Sequence, residues 1–95
     1  MCTCIAAIQS GGFYFGRNLD LHTSFGERVT VVPRGFALRH AGGERTRYAM
    51  IGMANVTEGV PLFADAANEK GVCMAGLYFP GNAHYFAEGE RKGGQ

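Results

Sequence analysis

The stretch Cys2-Thr3-Cys4-Ile5-Ala6-Ala7-Ile8, followed by Gln9-Ser10-Gly11-Gly12 and then by Phe13-Tyr14-Phe15-Gly16-Arg17, decides how this chain folds. Its first segment is apolar at successive positions, the pattern of a strand covered on both faces. Gln9 to Gly12 is turn chemistry, and the aromatic segment after it suits a returning strand. A loop over 9–12 pairs Ile8 with Phe13, which sets Cys4 opposite Arg17 and Cys2 opposite Leu19. Register alone thus carries Arg17 and Asp20 to the N-terminus, and a slip of about two residues still leaves both near Cys2.

Cys2 follows Met1, and cysteine is small enough for bacterial trimming of the initiator methionine. Trimming would leave a thiol and a free α-amine on one residue. The thiolate is the nucleophilic form, and free cysteine titrates near ~8.5. An α-amine titrates near ~7.7–8.0, so a useful fraction is a free base at neutral pH. Nucleophile and base then share a residue, the layout of enzymes with an N-terminal nucleophile. The plain alternative is a small packed residue at the start of a chain.

The 95 residues suit one small domain or part of a larger one. With 46% hydrophobic and 18% charged residues the chain wants a core and is too apolar to be disordered. Its 15 glycines go with turns and short strands rather than long helices. A formal net charge of +1 offers no footprint for nucleic acid or for an anionic membrane. The apolar run Ile5 to Ile8 is too short for a signal peptide or a membrane span. Three cysteines, an odd count without an export signal, argue against a disulfide framework and make the reducing cytoplasm the expected compartment.

Further along, Leu21 to Gly26 reads as a loop and Arg28 to Val32 as a strand that Pro33 ends. Strands are also expected over 36–40, 47–53 and 72–79, with a tight connection over 41–44 and loops at 57–59 and 69–71. Residues 63–68 predict a short helical turn. Pro80-Gly81-Asn82 stops the last strand, and the Gly-rich tail 88–95 is expected to fray. Arg28, Arg34, Arg39, Arg45 and Arg47 read as solvated faces. The whole is mostly β, with no long amphipathic helix.

Five blocks then carry a resemblance. They are Met1-Cys2-Thr3; Phe15-Gly16-Arg17-Asn18-Leu19-Asp20; Pro33-Arg34; Phe63-Ala64-Asp65 with Asn68-Glu69-Lys70-Gly71; and Ala75-Gly76-Leu77-Tyr78-Phe79-Pro80. In order and spacing, from Met1 to about Tyr85, the chain resembles the choloylglycine hydrolases, which comprise conjugated bile salt hydrolases and penicillin V acylases. The resemblance implies an α+β fold, the N-terminal-nucleophile hydrolase αββα sandwich. Residues 1–95 would be the mostly antiparallel β N-terminal part of one such domain, since family members are several times longer. It implies hydrolysis of a non-peptide linear amide by Cys2 once Met1 is lost. Arg17 would lower the thiol pKa, and Asp20 would hold the amine and thiol by charge-assisted hydrogen bonds. Asn18 would brace the same loop, a turn role being its alternative.

The backbone N–H of Tyr78 resembles half of an oxyanion hole. Bile salt hydrolases usually carry asparagine at this place and penicillin V acylases tyrosine, so Tyr78 tilts the pocket toward an aromatic or apolar acyl group. The loop 21–25 would line the substrate's approach. The other oxyanion donor, an asparagine, and a further arginine match no position up to Gln95, so the chain as given is expected to be catalytically incomplete. Cys4 departs from the small residue more usual there and adds an oxidation risk beside Cys2.

The resemblance implies no metal or organic cofactor, a small amide substrate such as a conjugated bile acid or penicillin V, and a homotetramer for the full-length parent. Nucleic acid and membrane are not expected partners. Two rivals come from other classes: a non-catalytic module of the same family, and a zinc site from Cys2, Cys4 and Cys73 with His22, His40 or His84. The C-x-C spacing is not that of the common structural zinc motifs.

Overall fold

A computed structural model describes residues 1–39, 42–78, 80–82, 84 and 86–87. Its strands are β1 (Thr3–Gln9), β2 (Gly12–Asn18), β3 (Arg28–Val32), β4 (Ala37–Leu38), β5 (Glu44–Arg45), β6 (Met50–Thr57), β7 (Val60–Asn68) and β8 (Cys73–Ala75). β1 pairs with β2 and β4 with β5, while a four-stranded sheet runs β3-β6-β7-β8. Every pairing is antiparallel. No α-helix occurs among the described residues, and none is therefore long and apolar enough to cross a membrane.

The first hairpin keeps the expected register, with Ile8 opposite Phe13 and Cys4 opposite Arg17, and closes one pair further at Gln9 and Gly12. The loop is thus Ser10-Gly11, with φ of 32° and 81°. Two positive φ values give the turn whose twist matches that of the flanking strands. Glu58-Gly59, at φ 53° and 75°, turns β6 into β7 in the same way.

That second turn overrules the helical reading of 63–68. Phe63-Ala64-Asp65-Ala66-Ala67 is rich in helix formers, yet the hairpin lays the segment along β6 as far as Met50 opposite Asn68. A long ladder with tertiary contacts outweighs a propensity of a few tenths of a kcal/mol per residue. Gly52 lies so close to β7 that a Cβ there would sit 2.0 Å from the Asp65 carbonyl oxygen.

Other boundaries also shift. The strand expected over 47–53 begins at Met50 and continues to Thr57, held by both neighbours. The one expected over 72–79 is ordered as strand only at Cys73–Ala75, and that over 36–40 only at Ala37–Leu38. Residues 40, 41, 79 and 85 and the tail 88–95 lie outside the described residues, so the fraying expected of the tail and part of the connection over 41–44 do too.

Antiparallel pairing assigns faces to the large sheet. Val29, Val31, Ile51, Met53 and Asp65 share one, and Thr30, Val32, Met50, Gly52 and Ala66 the other. Val32 and Ala54 are buried on the second face, while Val29 and Val31 on the first are 68% and 65% exposed. The surface totals 7701 Å², against roughly 5,300 Å² for a compact 10.2 kDa monomer. The sheets leave apolar faces uncovered.

Two polar anchors fix the loops. The buried Thr46 hydroxyl donates to the Pro33 carbonyl at 2.7 Å and accepts the Phe36 N–H at 3.0 Å. Arg34, expected only to face solvent, forks onto both carboxylate oxygens of Glu69. Glu69 also accepts the Ala49 N–H at 2.9 Å. Arg34 first, then the Ala49 amide, holds the Glu69 carboxyl at about 2. Arg45 donates to the Gly35 carbonyl at 2.7 Å.

Two outcomes follow from this packing. Gly52→Ala forces the Asp65 backbone to move and should lower stability by about 1–3 kcal/mol in urea denaturation. Glu69 titrates at about 2 when folded against an ordinary 4.5. Its contribution is therefore complete above about pH 4.5 and is lost as pH falls through about 2. Thermal melts should show Glu69→Gln less stable than wild type at neutral pH, with the gap closing toward pH 2.

Candidate active site

Hairpin parity puts Cys2, Cys4 and Ala6 on one face with Leu19, Arg17 and Phe15. Cys2 lies just ahead of β1 and is 5% exposed. The Arg17 side chain is also buried, at 7% exposed, and reaches from the hairpin to the four-stranded sheet. Its Nη1 donates to the Ala64 carbonyl at 2.9 Å and to Asp65 Oδ2 at 3.5 Å. Its Nη2 donates to the Gly76 carbonyl at 2.6 Å. Nε finds no acceptor among the described residues.

A β-bulge makes this reception possible. Met53 faces Asp65 and Ala54 faces Phe63, so Ala64 is an extra residue in β7 with no opposite number in β6. Such a bulge kinks the strand and re-aims its groups. The Ala64 carbonyl accordingly accepts the Gly76 N–H at 2.9 Å as well as Arg17. Asp65 closes the bulge by accepting the Met53 N–H on Oδ1 at 3.0 Å.

From Gly76 the chain leaves the sheet toward Cys2. Beside the thiol stand the backbone N–H groups of Tyr78 and, at the end of the hairpin, of Asp20. Together they hold the Cys2 thiol below its ordinary value. Burial opposes the shift, and the neighbouring Arg17 guanidinium reinforces it. The Asp20 carboxylate meanwhile takes the α-ammonium of Met1 at 3.0 Å.

Four residues singled out from the sequence, Cys2, Arg17, Asp20 and Tyr78, therefore converge. Asn18 does not join them. It pairs with Thr3, is exposed, and by parity belongs to the opposite face from Arg17. The Tyr78 ring is 60% exposed, so its backbone rather than its side chain meets the thiol. Among the described residues no three His, Cys, Asp or Glu side chains cluster as a metal site would need; His40, one of the histidines named for the zinc reading, lies outside the described residues.

Beside Arg17 opens a cleft of about 330 Å³, walled by Leu19, Leu21, Thr23, Glu27, Met53 and Asp65. Cys2 does not line it directly; Arg17 and Leu19 connect the two. The loop forming its rim is braced from within. Ser24 Oγ donates to Glu27 Oε2 at 2.6 Å, and the Phe25 N–H joins it at 3.0 Å. Ser24 foremost keeps the Glu27 carboxyl below its usual range. Asn55 Nδ2 ties the loop to β6 through the Phe25 carbonyl at 2.6 Å.

Sequence reasoning missed Asp65, the Ala64 bulge and the Gly76 carbonyl. An acid within the apolar run Phe63 to Ala67 was a readable signal, because such a charge needs a partner and Arg17 is the cation in the other apolar strand. The bulge had no such signal. A ¹³C titration of the Cys2 Cβ should find its midpoint below that of a free cysteine, and Arg17→Ala should raise it. A midpoint at the ordinary value in the folded protein would contradict this account of the thiol.

Comparison with known proteins gives the family and the fold. The family model for linear amide C–N hydrolases of the choloylglycine hydrolase family matches residues 2–94. A bile salt hydrolase/transferase of Lactiplantibacillus plantarum is 47% identical over 87 residues, covering 90% of this chain and 26% of the relative. The conjugated bile acid hydrolase of Lactobacillus gasseri is 41% identical, covering 84% and 26%. The crystal structure of a C2A mutant of the conjugated bile acid hydrolase from Clostridium perfringens superposes with a TM-score of 0.80 at 36% identity, over 94% of this chain and 29% of that one. The expected N-terminal-nucleophile hydrolase fold is thus present as its antiparallel β portion. The chain spans about a quarter of the length of the curated relatives it matches. By sequence and by fold, it belongs to the choloylglycine hydrolase family of linear amide C–N hydrolases.

Proposed function

We propose that this chain is the N-terminal part of a bacterial, cytoplasmic amidohydrolase that cleaves a linear non-peptide amide, with Cys2 as nucleophile after loss of Met1. One observation carries the reading: a buried thiol sits beside two backbone N–H groups and a buried guanidinium, which together lower its pKa. That environment favours thiolate over thiol, and the thiolate is the attacking species. Family membership supports the same reaction class.

In the proposed sequence the Cys2 sulfur adds to the amide carbonyl carbon. The carbonyl oxygen becomes an oxyanion beside the Tyr78 N–H, the backbone donor next to the sulfur in the resting site. The C–N bond then breaks and the leaving amine takes a proton from the Cys2 α-ammonium. Water, deprotonated by that same amine, adds to the thioester carbonyl, the C–S bond breaks, and the acid leaves with the thiolate and the α-ammonium restored. Asp20 holds the amine; its carboxylate already takes an α-ammonium in the structure, that of Met1.

For the substrate we propose a conjugated bile acid, in keeping with the relatives named as bile salt and conjugated bile acid hydrolases. Tyr78 favours a second reading, an aromatic acyl group such as that of penicillin V, because its ring is exposed where it could pack on one. The uncovered apolar faces and the length of the relatives support a longer protein that supplies the remaining oxyanion donor. The homotetramer implied by family resemblance belongs to that protein. Removing one such donor costs about 10²–10³ in rate, so residues 1–95 alone should show little turnover.

The test is amine release from glycine- and taurine-conjugated bile acids, with penicillin V in parallel. Cys2→Ala in the full-length protein should abolish turnover, and so should a variant whose Met1 is retained. Undiminished hydrolysis by either variant would overturn the proposal.

A further inference from the structure

We propose that Asp65, acting with the β-bulge at Ala64, is a positioning residue for the reaction: it sets Arg17 and the Tyr78 amide against the Cys2 sulfur. The inference rests on the nucleophile assignment above and extends it to a residue that does not touch the thiol.

Arg17 carries a buried charge, and a buried cation is tolerated only when paired and hydrogen-bonded. Two of its acceptors, the Ala64 and Gly76 carbonyls, are neutral. Asp65 is the carboxylate its guanidinium reaches among the described residues, and it is itself only 16% exposed. That carboxylate is fixed from the other side, since Oδ1 accepts the Met53 N–H across the bulge at 3.0 Å. Asp65 thereby binds β6, β7 and the hairpin at one point.

The same bulge reaches Tyr78. The Ala64 carbonyl accepts the Gly76 N–H, and the Gly76 carbonyl accepts Arg17 Nη2. Gly76 is clamped on both sides, just before the chain turns to present the Tyr78 N–H to sulfur. Loosening Asp65 frees the bulge, then Gly76, then both the amide and the guanidinium.

The sign of the effect separates this role from a bystander charge. A carboxylate that merely stood near the thiol would disfavour the thiolate, so its removal would lower the thiol pKa or leave it unchanged. A positioning carboxylate predicts the reverse, because its removal withdraws the donors. Asp65→Asn retains an oxygen for the Met53 N–H but turns an amide N–H₂ toward Arg17, so the hairpin contact is the one lost.

The experiment is a ¹³Cβ-cysteine titration by NMR in the full-length protein, with Cys4 and Cys73 replaced by alanine. Asp65→Asn should raise the Cys2 midpoint by about half a pH unit, a threefold change in the thiolate-to-thiol ratio. The same variant should shift the acid limb of the kcat/KM profile upward. Asp65→Glu, which keeps the charge on a longer arm, should raise the midpoint less. In an Arg17→Ala background Asp65→Asn should add less than it does alone. A folded Asp65→Asn protein with an unchanged or lowered midpoint overturns the proposal. If that variant does not fold, Asp65→Glu decides by the same criterion. A wild-type midpoint at the ordinary thiol value would instead defeat the nucleophile assignment itself.

Discussion

Arg17 is rooted in one sheet and finds its hydrogen-bond acceptors on another, and the arrangement around Cys2 depends on that. Its guanidinium leaves the β1–β2 hairpin and ends on the carbonyls of Ala64 and Gly76 and on the Asp65 carboxylate. A planar fork with donors in several directions can span such a set, whereas an ammonium on a flexible stem would not hold the same geometry. The Ala64 carbonyl belongs to the one residue that β7 carries in excess of β6. Local irregularity in one sheet is thus what lets the other dock.

The electrostatics of the thiol follow from the same contacts. Desolvation alone would push Cys2 toward the neutral thiol, yet the Tyr78 and Asp20 amides more than offset it. Backbone donors suit this purpose, since they are neutral, rigid and fixed in place by folding. Arg17 adds charge to their dipoles without needing to leave its structural partners. One side chain therefore links the joint between sheets to the chemistry proposed for the site. Beyond it the cleft offers leucine and methionine walls beside charged residues, a surface suited to an amphipathic substrate.

The hairpin was legible because turn residues and strand lengths leave little freedom. Ser10-Gly11 can adopt the required positive φ values, and register then places Arg17 opposite Cys4 without any knowledge of the rest. The segment 63–68 was not legible. Its alanines favour a helix locally, and only the neighbouring β6 ladder and the close approach of Gly52 select the strand. Asp65 was legible only as an acid in an apolar run that needs a partner; the Met53 amide and the bulge that fix it lie where no local pattern announces them. Arg34 looked like a solvated cation and is in fact forked onto Glu69 from a turn distant in sequence. The convergence of Cys2, Asp20 and Tyr78 could be expected from motif order; the route by which Tyr78 arrives, through Gly76, needed coordinates.

The central claim is that the thiol of the first mature residue forms the covalent bond. Intact-mass and peptide mapping of the full-length protein after exposure to a reactive amide or lactam tests it directly. The account predicts a single acyl adduct on a Cys2 that has lost Met1. An adduct on Cys4, on Cys73 or on any other side chain, with Cys2 unmodified, would contradict it.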